Sequence, residues 1–258
     1  MFPIIPHVSI FNAKKVYDTF FANGGITDPT EKSAVVYLHD ALKSNNFWSR
    51  YKALYPIVGG TSTAHKLNLI KPTGLTADHT IDFYNSPTHS ANGIAWDGTT
   101  QYGDTNCNSN ILGQNNAHVM VYLRDNTIKG NGIDIGNYPG SSFLGIYARD
   151  GGNLFYGNAN DGGFQTQSSS DSTGLQMASR VDAVEVLHAI RNSQWAVAQS
   201  SASPQNANIH IGKGNIAGGW YSDRQVAGAS IGFGFTTAEM ATLYTIWQTY
   251  QTMLSRQV

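Results

Sequence analysis

The 258-residue sequence predicts a mostly β fold, a two-sheet antiparallel sandwich with helices at its N-terminal end and one helix at its C-terminal end. Three observations predict it. From Leu67 to Phe235, short apolar runs alternate with clusters of Gly, Asn, Asp and Ser. No stretch of helical spacing interrupts those runs, which excludes a sheet built from strand–helix–strand units. Helical spacing returns only at the two ends.

The elements follow in chain order. Asn12 stands where it can cap a helix running to about Asn23, which Gly24-Gly25 stops. Asp28-Pro29-Thr30-Glu31 then combines an N-cap, a proline at the first helical position and a capping-box glutamate. Ala34, Val35, Leu38, Ala41 and Leu42 continue at helical spacing. Residues 1–60 are accordingly expected to be a helical segment packed on a sandwich formed by 61–258. Strands are expected at Thr80–Tyr84, Gly93–Asp97, His118–Leu123, Phe143–Ala148, Asn153–Gly157, Val184–Arg191, Trp195–Gln199, Asn208–Gly212 and Ala229–Phe235, within a total of roughly a dozen. The clearest hairpin is Tyr147–Phe155, whose Asp-Gly-Gly centre supplies the positive-φ positions of a tight turn. The serine-rich stretch Gln165–Thr173 reads as a loop. Thr236 and Glu239 form a second capping box, and Met240, Leu243, Tyr244, Trp247, Tyr250 and Leu254 follow at helical spacing, so a helix is expected over 237–256.

Bulk composition limits function. Charged residues are 13% of the chain and the formal net charge is −1, so no basic field draws in nucleic acid. The single cysteine, Cys107, excludes an internal disulfide and reads as a small buried residue. MFPIIPHVSIFNAKK lacks a basic n-region and a cleavage-like site, a poor signal peptide. No apolar run approaches the ~20 residues of a membrane span. These features predict a soluble protein made in a cytoplasm, without nucleic-acid or membrane partners.

Catalytic patterns are weak. Glycoside hydrolysis needs two carboxylates flanking the scissile bond, and the only glutamates are Glu31, Glu185 and Glu239, two of them in capping positions. Six of the fourteen aspartates precede Gly, Asn or Thr, which is turn chemistry. Gly228-Ala229-Ser230-Ile231-Gly232 matches G-x-S-x-G, but the last histidine, His210, lies upstream of it and the following helix starts too late for a nucleophile elbow. Gly212-Lys213-Gly214 lacks the third glycine and the strand-to-helix setting of a phosphate loop. The eight histidines show no metal spacing, although His65, His89 and His118 can meet in space. The chain is expected not to be an enzyme. Calcium, which takes oxygen ligands, has a candidate set in Asp150, Asn160 and Asp161, with Asn158 alongside, and Asp97 with Asp104 offers a second. Otherwise no cofactor is expected. For a carbohydrate ligand, the candidates are aromatic platforms with adjacent amides: Trp220, Tyr221, Tyr138, Asn153 and Asn158.

Several segments carry a resemblance. Ile94-Ala95-Trp96-Asp97-Gly98-Thr99-Thr100-Gln101-Tyr102 resembles the F-(D/N)-G-x-x-(D/Q)-Y segment of concanavalin A-like, laminin-G-like jelly rolls. Val184–Ser200 is similar to a later hairpin of that fold, with Ser193 in place of the usual glycine, and Ile209–Asn215 and the C-terminal helix resemble its closing elements. Ile26–Trp48, Tyr55–Leu69 and Thr88–Thr105 together resemble a set of bacteriophage virion proteins. The resemblance implies a jelly roll and a structural role in a fibre, spike or decoration component of a virion assembled in the bacterial host cytoplasm. It also implies other virion proteins and a bacterial surface glycan as partners, and a homo-oligomer, with a trimer favoured. An architectural virion protein without ligand is the alternative, and a glycan-degrading enzyme of glucanase-like fold a second one.

Overall fold

The computed structural model describes residues 15–258. Its elements in chain order are α1 (Val16–Gly24), α2 (Pro29–Ser44), β1 (Tyr51–Tyr55), α3 (Ser62–His65), β2 (Asp82–Tyr84), β3 (Thr88–Ser90), β4 (Gly93–Ala95), β5 (Tyr102–Asn108) and β6 (Ala117–Leu123). There follow β7 (Ile135–Asn137), β8 (Phe143–Tyr147), β9 (Leu154–Asp161), β10 (Thr166–Ser168), β11 (Gly174–Arg180), β12 (Glu185–Ile190), β13 (Ser193–Ala198), β14 (Asn208–Ile211), β15 (Val226–Gly232) and α4 (Thr237–Met253). The expected cap at Asn12 lies outside the described residues.

The strands form a two-sheet antiparallel jelly-roll sandwich. The first sheet runs β13-β12-β11-β6-β15-β4-β3, and β1 also pairs with β15, making eight strands. The second runs β10-β9-β8-β7-β14-β5-β2. Two apolar cores result. Between the sheets lie Val119, Val121, Ile135, Leu144, Ile146, Phe155, Ile209 and Ile231. On the outer face of the first sheet, Met120, Tyr122, Leu175 and Met177 meet Phe20, Leu38 and Leu42 of α1 and α2, and Leu243 and Trp247 of α4. The strict alternation along β6 explains its full burial: odd positions enter one core and even positions the other. Among the described residues, α1, α2 and α4 pack on the outer face of the first sheet.

The caps read at Asp28 and Thr236 are present, with one change of partner. Asp28 accepts the amides of Thr30 and Glu31, but the Glu31 carboxylate reaches the Gly59 amide at 3.0 Å rather than returning to its own helix start. At α4 the box closes, Thr236 N donating to Glu239 at 2.8 Å, and Glu239 also pairs with Arg50 at 2.6 Å.

The largest departure is β1. The first sixty residues are not all helical: Tyr51–Tyr55 pairs with β15 from Gly232 to Ala229 and belongs to the first sheet. The boundary expected at residue 60 therefore cuts through the sandwich. Fifteen strands lie among the described residues, in keeping with the dozen or more expected, and the serine-rich loop contains the short edge strand β10. The C-terminal helix ends at Met253 rather than 256. No helix among the described residues is long and apolar enough to cross a membrane.

A candidate binding cleft on the outer face of the second sheet

Alternation along β8 and β9 builds the site. Leu144, Ile146 and Phe155 point into the sandwich, so Phe143, Tyr147 and Tyr156 point outward. The hairpin pairs Tyr147 with Tyr156 across the strands, and their rings stack 5.1 Å apart at 14°. Phe164 follows β9 and lies 5.8 Å from Phe143, 6.0 Å from Tyr156 and 6.2 Å from Trp220, almost parallel to the indole at 17°. Ile133 and the hairpin turn at Asp150 complete a cleft of about 410 Å³. Phe164 is 44% exposed although it is fully aromatic, so the cleft presents ring surface to solvent.

Beneath the rings lies a buried polar clamp. Arg224 is fully buried, and its Nη1 lies 3.1 Å from both oxygens of Asp134. The same guanidinium donates to the carbonyl of Thr127 at 3.0 and 2.9 Å and to that of Arg149. Asp134 also accepts from the Ala148 amide at 2.8 Å and the Ser222 hydroxyl at 2.5 Å. One ion pair thus ties the loop before β7, the end of β8 and the segment before β15 together. Every donor is used, which is the condition under which a buried pair fixes geometry. The glycines at 136 and 145 keep the sheet bare under Phe143: a Cβ on Gly145 would lie 2.4 Å from the Phe143 ring and 2.7 Å from the Ile135 carbonyl.

The cleft's one lining carboxylate is Asp150. Its Oδ1 accepts the amides of Gly152 and Leu154 at 2.7 and 2.9 Å, and its Oδ2 accepts the Tyr156 hydroxyl at 2.7 Å. Burial works to raise its pKa, but these three donors outweigh it and hold the carboxyl below the ordinary aspartate value. The same bond pushes the Tyr156 phenol up to about 12. Asp150 is therefore a fixed anion, the opposite of the raised-pKa acid that glycoside cleavage requires. It keeps a free lone pair on Oδ2 for a ligand hydroxyl.

The sequence candidates divide. Trp220 lines the cleft, and Tyr138 packs at its edge against Phe143 and Phe164 at 5.5 and 5.4 Å. Tyr221 turns away from the cleft toward Tyr102. Asn153 is exposed but occupied by the Arg149 guanidinium, and its φ of 59° makes it a turn residue. Asn158 is fully buried and donates to Asp161 and to the Gly163 carbonyl, so it cannot meet a ligand. The calcium set does not assemble. Asp150 stands before β9, while Asn160 and Asp161 end it, roughly 23 Å along an extended strand of eight residues. Asn160 donates to the carbonyls of Gly113 and Gln114, and Asp161 faces the buried Arg180 at 3.7 Å. No group of three or more His, Cys, Asp or Glu side chains placed to hold a metal ion occurs among the described residues.

Phe143, Tyr147, Tyr156 and Phe164 were not among the sequence candidates. The hairpin register identifies two of them, because Tyr147 and Tyr156 sit opposite one another about the Asp-Gly-Gly turn. Nothing local marks Phe164. Two other motifs resolve as structure. Ser230 of the G-x-S-x-G stretch lies on β15, buried, 3.0 Å from His118 Nε2. His118 Nδ1 donates to the Phe233 carbonyl at 2.6 Å, and burial lowers its pKa to about 4; no solvent reaches this pair. Asp97 accepts the amides of Thr99, Thr100 and Gln101, which makes the Asp-Gly stretch before β5 a turn. A larger, shallower trough of about 760 Å³ runs between the edge strands β10 and β13, but its arginine, Arg191, is spent on Asp171 and Thr173.

No protein-family model matches the chain, and no curated protein does. Among solved structures, it is similar to domain 4 of AbnA, an extracellular arabinanase of Geobacillus stearothermophilus determined with arabinotriose, at 12% identity and a TM-score of 0.47, covering 76% of this chain and 98% of that one. It is also similar to the binding domain of botulinum neurotoxin serotype D, at 8% identity and a TM-score of 0.48, covering 80% of this chain and 52% of that one. A botulinum neurotoxin type C structure, described as dependent on two ganglioside molecules for cell entry, matches at 11% identity and a TM-score of 0.45, covering 78% and 52%. The chain thus spans about half the length of the toxin chains. At identities this low and TM-scores below 0.5, function has to be argued from the site itself.

Proposed function

We propose that the protein is a glycan-binding module that holds carbohydrate in the aromatic cleft, without cleaving it. The observation that carries this reading is the cleft itself: two near-parallel ring pairs, Tyr147–Tyr156 and Phe164–Trp220, around about 410 Å³ with one fixed carboxylate in the wall. Ring faces stack on the C–H faces of sugars, and Asp150 Oδ2 accepts a hydroxyl. A lone carboxylate held ionised supports binding rather than hydrolysis. The resemblance of Ile26–Trp48, Tyr55–Leu69 and Thr88–Thr105 to bacteriophage virion proteins supports a place on a virion, where the glycan is a bacterial surface polysaccharide and the protein assembles as a homo-oligomer.

The test is a bacterial surface-polysaccharide array probed with folded wild-type protein and with Trp220→Ala, each with calcium and with EDTA. Wild type is expected to bind specific glycans equally in both solutions, and Trp220→Ala to lose about tenfold or more, the loss of one stacking platform. No binding on a broad array, or binding indifferent to Trp220, overturns the cleft and leaves an architectural role. The virion assignment has its own check, the detection of the chain by mass spectrometry in purified particles.

A further inference from the structure

Next to the cleft, a group of hydrogen-bond donors has no acceptor. Tyr102 of β5 faces Tyr84 of β2 across the strand pair, their rings 4.5 Å apart and within 3° of parallel. Tyr221 lies 6.3 Å from Tyr102. The Lys213 ammonium sits 4.7 Å from the Tyr102 ring centre and 5.0 Å from that of Tyr221. His210 lies against Tyr102 at 4.9 Å, and its buried Nδ1 has no partner. The hydroxyls of Tyr55, Tyr122, Tyr147, Tyr156 and Tyr250 each donate to an acceptor, whereas that of Tyr51 is buried without one. Those of Tyr84, Tyr102 and Tyr221 donate to no group among the described residues. Lys213 differs in the same way from Arg50, Lys71, Lys129, Arg180, Arg191 and Arg224, which all pair with carboxylates.

Asp104, on the same strand as Tyr102, is already occupied. It accepts the Asn106 amide at 2.8 Å and the Asn208 side chain at 3.2 Å, and it faces His210 Nε2 at 3.7 Å. Three phenol hydroxyls and one ammonium therefore remain, each able to donate, on one aromatic surface. Such a set favours an oxyanion, because charge-assisted hydrogen bonds are the strong ones and a cation over two rings is already partly desolvated.

We propose that Lys213, Tyr84, Tyr102 and Tyr221 form a second subsite that takes an oxyanion (carboxylate, sulfate or phosphate) carried by the glycan. The ligand of the cleft is then an anionic polysaccharide. This assignment rests on the reading of the cleft as a glycan site. The two sites are neighbours: Trp220 of the cleft and Tyr221 are consecutive, about 3.8 Å apart at Cα, and Tyr221 bridges Ile133 of the cleft on one side and Lys213 on the other.

Two experiments test it. Inorganic sulfate is titrated into protein with isotope-labelled tyrosine rings. Saturable shifts are expected at Tyr84, Tyr102 and Tyr221 in the wild type and not in Lys213→Met. The absence of shifts up to tens of millimolar sulfate overturns the subsite, and shifts that persist in Lys213→Met identify an adventitious ion only and overturn it as well. Calorimetry then compares an oligogalacturonate with its methyl ester, which has the same backbone and no charge. The acid is expected to bind about tenfold more tightly at low salt, a preference that shrinks at high salt and vanishes in Lys213→Met. Equal binding of acid and ester, with Trp220→Ala losing both, overturns the subsite and leaves the cleft standing. Acid binding that survives Trp220→Ala but not Lys213→Met keeps the oxyanion site and removes the cleft.

Discussion

At the scale of single residues, buried polar groups decide more than the apolar core does. Arg256 is 1% exposed, and its guanidinium donates to the carbonyls of Pro56, Ile57, Ala91 and Ala227 and to Gln251. No carboxylate is among these partners. Arg256→Met would leave the Ile57 carbonyl and Gln251 Oε1 without a donor, while Pro56 keeps the Tyr250 hydroxyl and Ala227 the Gln251 amide, at a cost of roughly 3 kcal/mol, seen as a fall in the urea midpoint at unchanged slope. Arg256→Lys is expected to recover only part, because an ammonium has three donors and no fork. His188 carries a pH dependence. It is fully buried between Phe155 and Trp195, with Nε2 donating to the Gly157 carbonyl at 2.6 Å. Burial lowers its folded pKa to about 4, and the Gly157 bond only partly opposes that. The unfolded chain binds a proton below its ordinary pKa of about 6.5 while the folded one does not. Stability is therefore full above about 6.5 and falls as pH drops from there to about 4, with His118 adding to the same window. Between pH 7.5 and 5, His188 accounts for a loss on the order of 2 kcal/mol. His188→Gln keeps a donor for Gly157 and cannot titrate in that range, so its midpoint should fall less over that interval; a parallel fall would refute the assignment.

At the scale of elements, strand placement depends on space as much as on pattern. Gly145→Ala on β8 adds one methyl where the Phe143 ring and the Ile135 carbonyl already stand, at 2.4 and 2.7 Å. The ring can rotate but the carbonyl belongs to the neighbouring strand, so the sheet must shift. The expected result is a loss of roughly 1–3 kcal/mol and of glycan affinity, with Trp220 fluorescence displaced in the free protein. The elements legible in the sequence were those with strong turn punctuation or clear periodicity, namely α2, α4, β2, β4, β6, the β8–β9 hairpin, β12, β13, β14 and β15. The missed strands lack one or the other. β5 reads Tyr-Gly-Asp-Thr-Asn-Cys-Asn, with small or polar residues at its inward positions. β1 follows a helix with only a short turn between them, and Tyr-Lys-Ala-Leu-Tyr fits either period. The site was half legible for a similar reason. Trp220 is marked by its residue type and Tyr147–Tyr156 by hairpin symmetry, whereas Phe164 joins the cleft only through a loop path that no local pattern encodes. The calcium grouping failed because residues close in number, Asp150 and Asp161, are held apart by the extended strand between them.

At the scale of the whole molecule, the helical layer and the sandwich form one cooperative unit. The outer face of the first sheet is apolar, with Met120, Tyr122, Leu175 and Met177 buried only because α1, α2 and α4 cover them. β1 fills the edge of β15 beyond the short reach of β4. A chain of residues 61–258 would lose both contributions. Five of the side chains it gives up, Val35, Leu38, Leu42, Phe47 and Leu54, are buried, and at about 1.5–3 kcal/mol each they are worth roughly 8–15 kcal/mol. That equals the entire stability of a typical domain. It would also expose the unpaired half of β15, a strand edge open to aggregation. The expected outcome is that residues 61–258 alone show no cooperative thermal transition and weak near-UV circular dichroism. In the full chain, Trp48 and Trp247 report on the helical layer, and Trp96 and Trp195 on the sandwich. Single-tryptophan variants retaining one or another of these should share one denaturation midpoint, since a layer that completes the sheet cannot leave before it. Separate midpoints, or a cooperative melt of 61–258 near the full-length temperature, would make the helices an appendage and restore a domain boundary at residue 60.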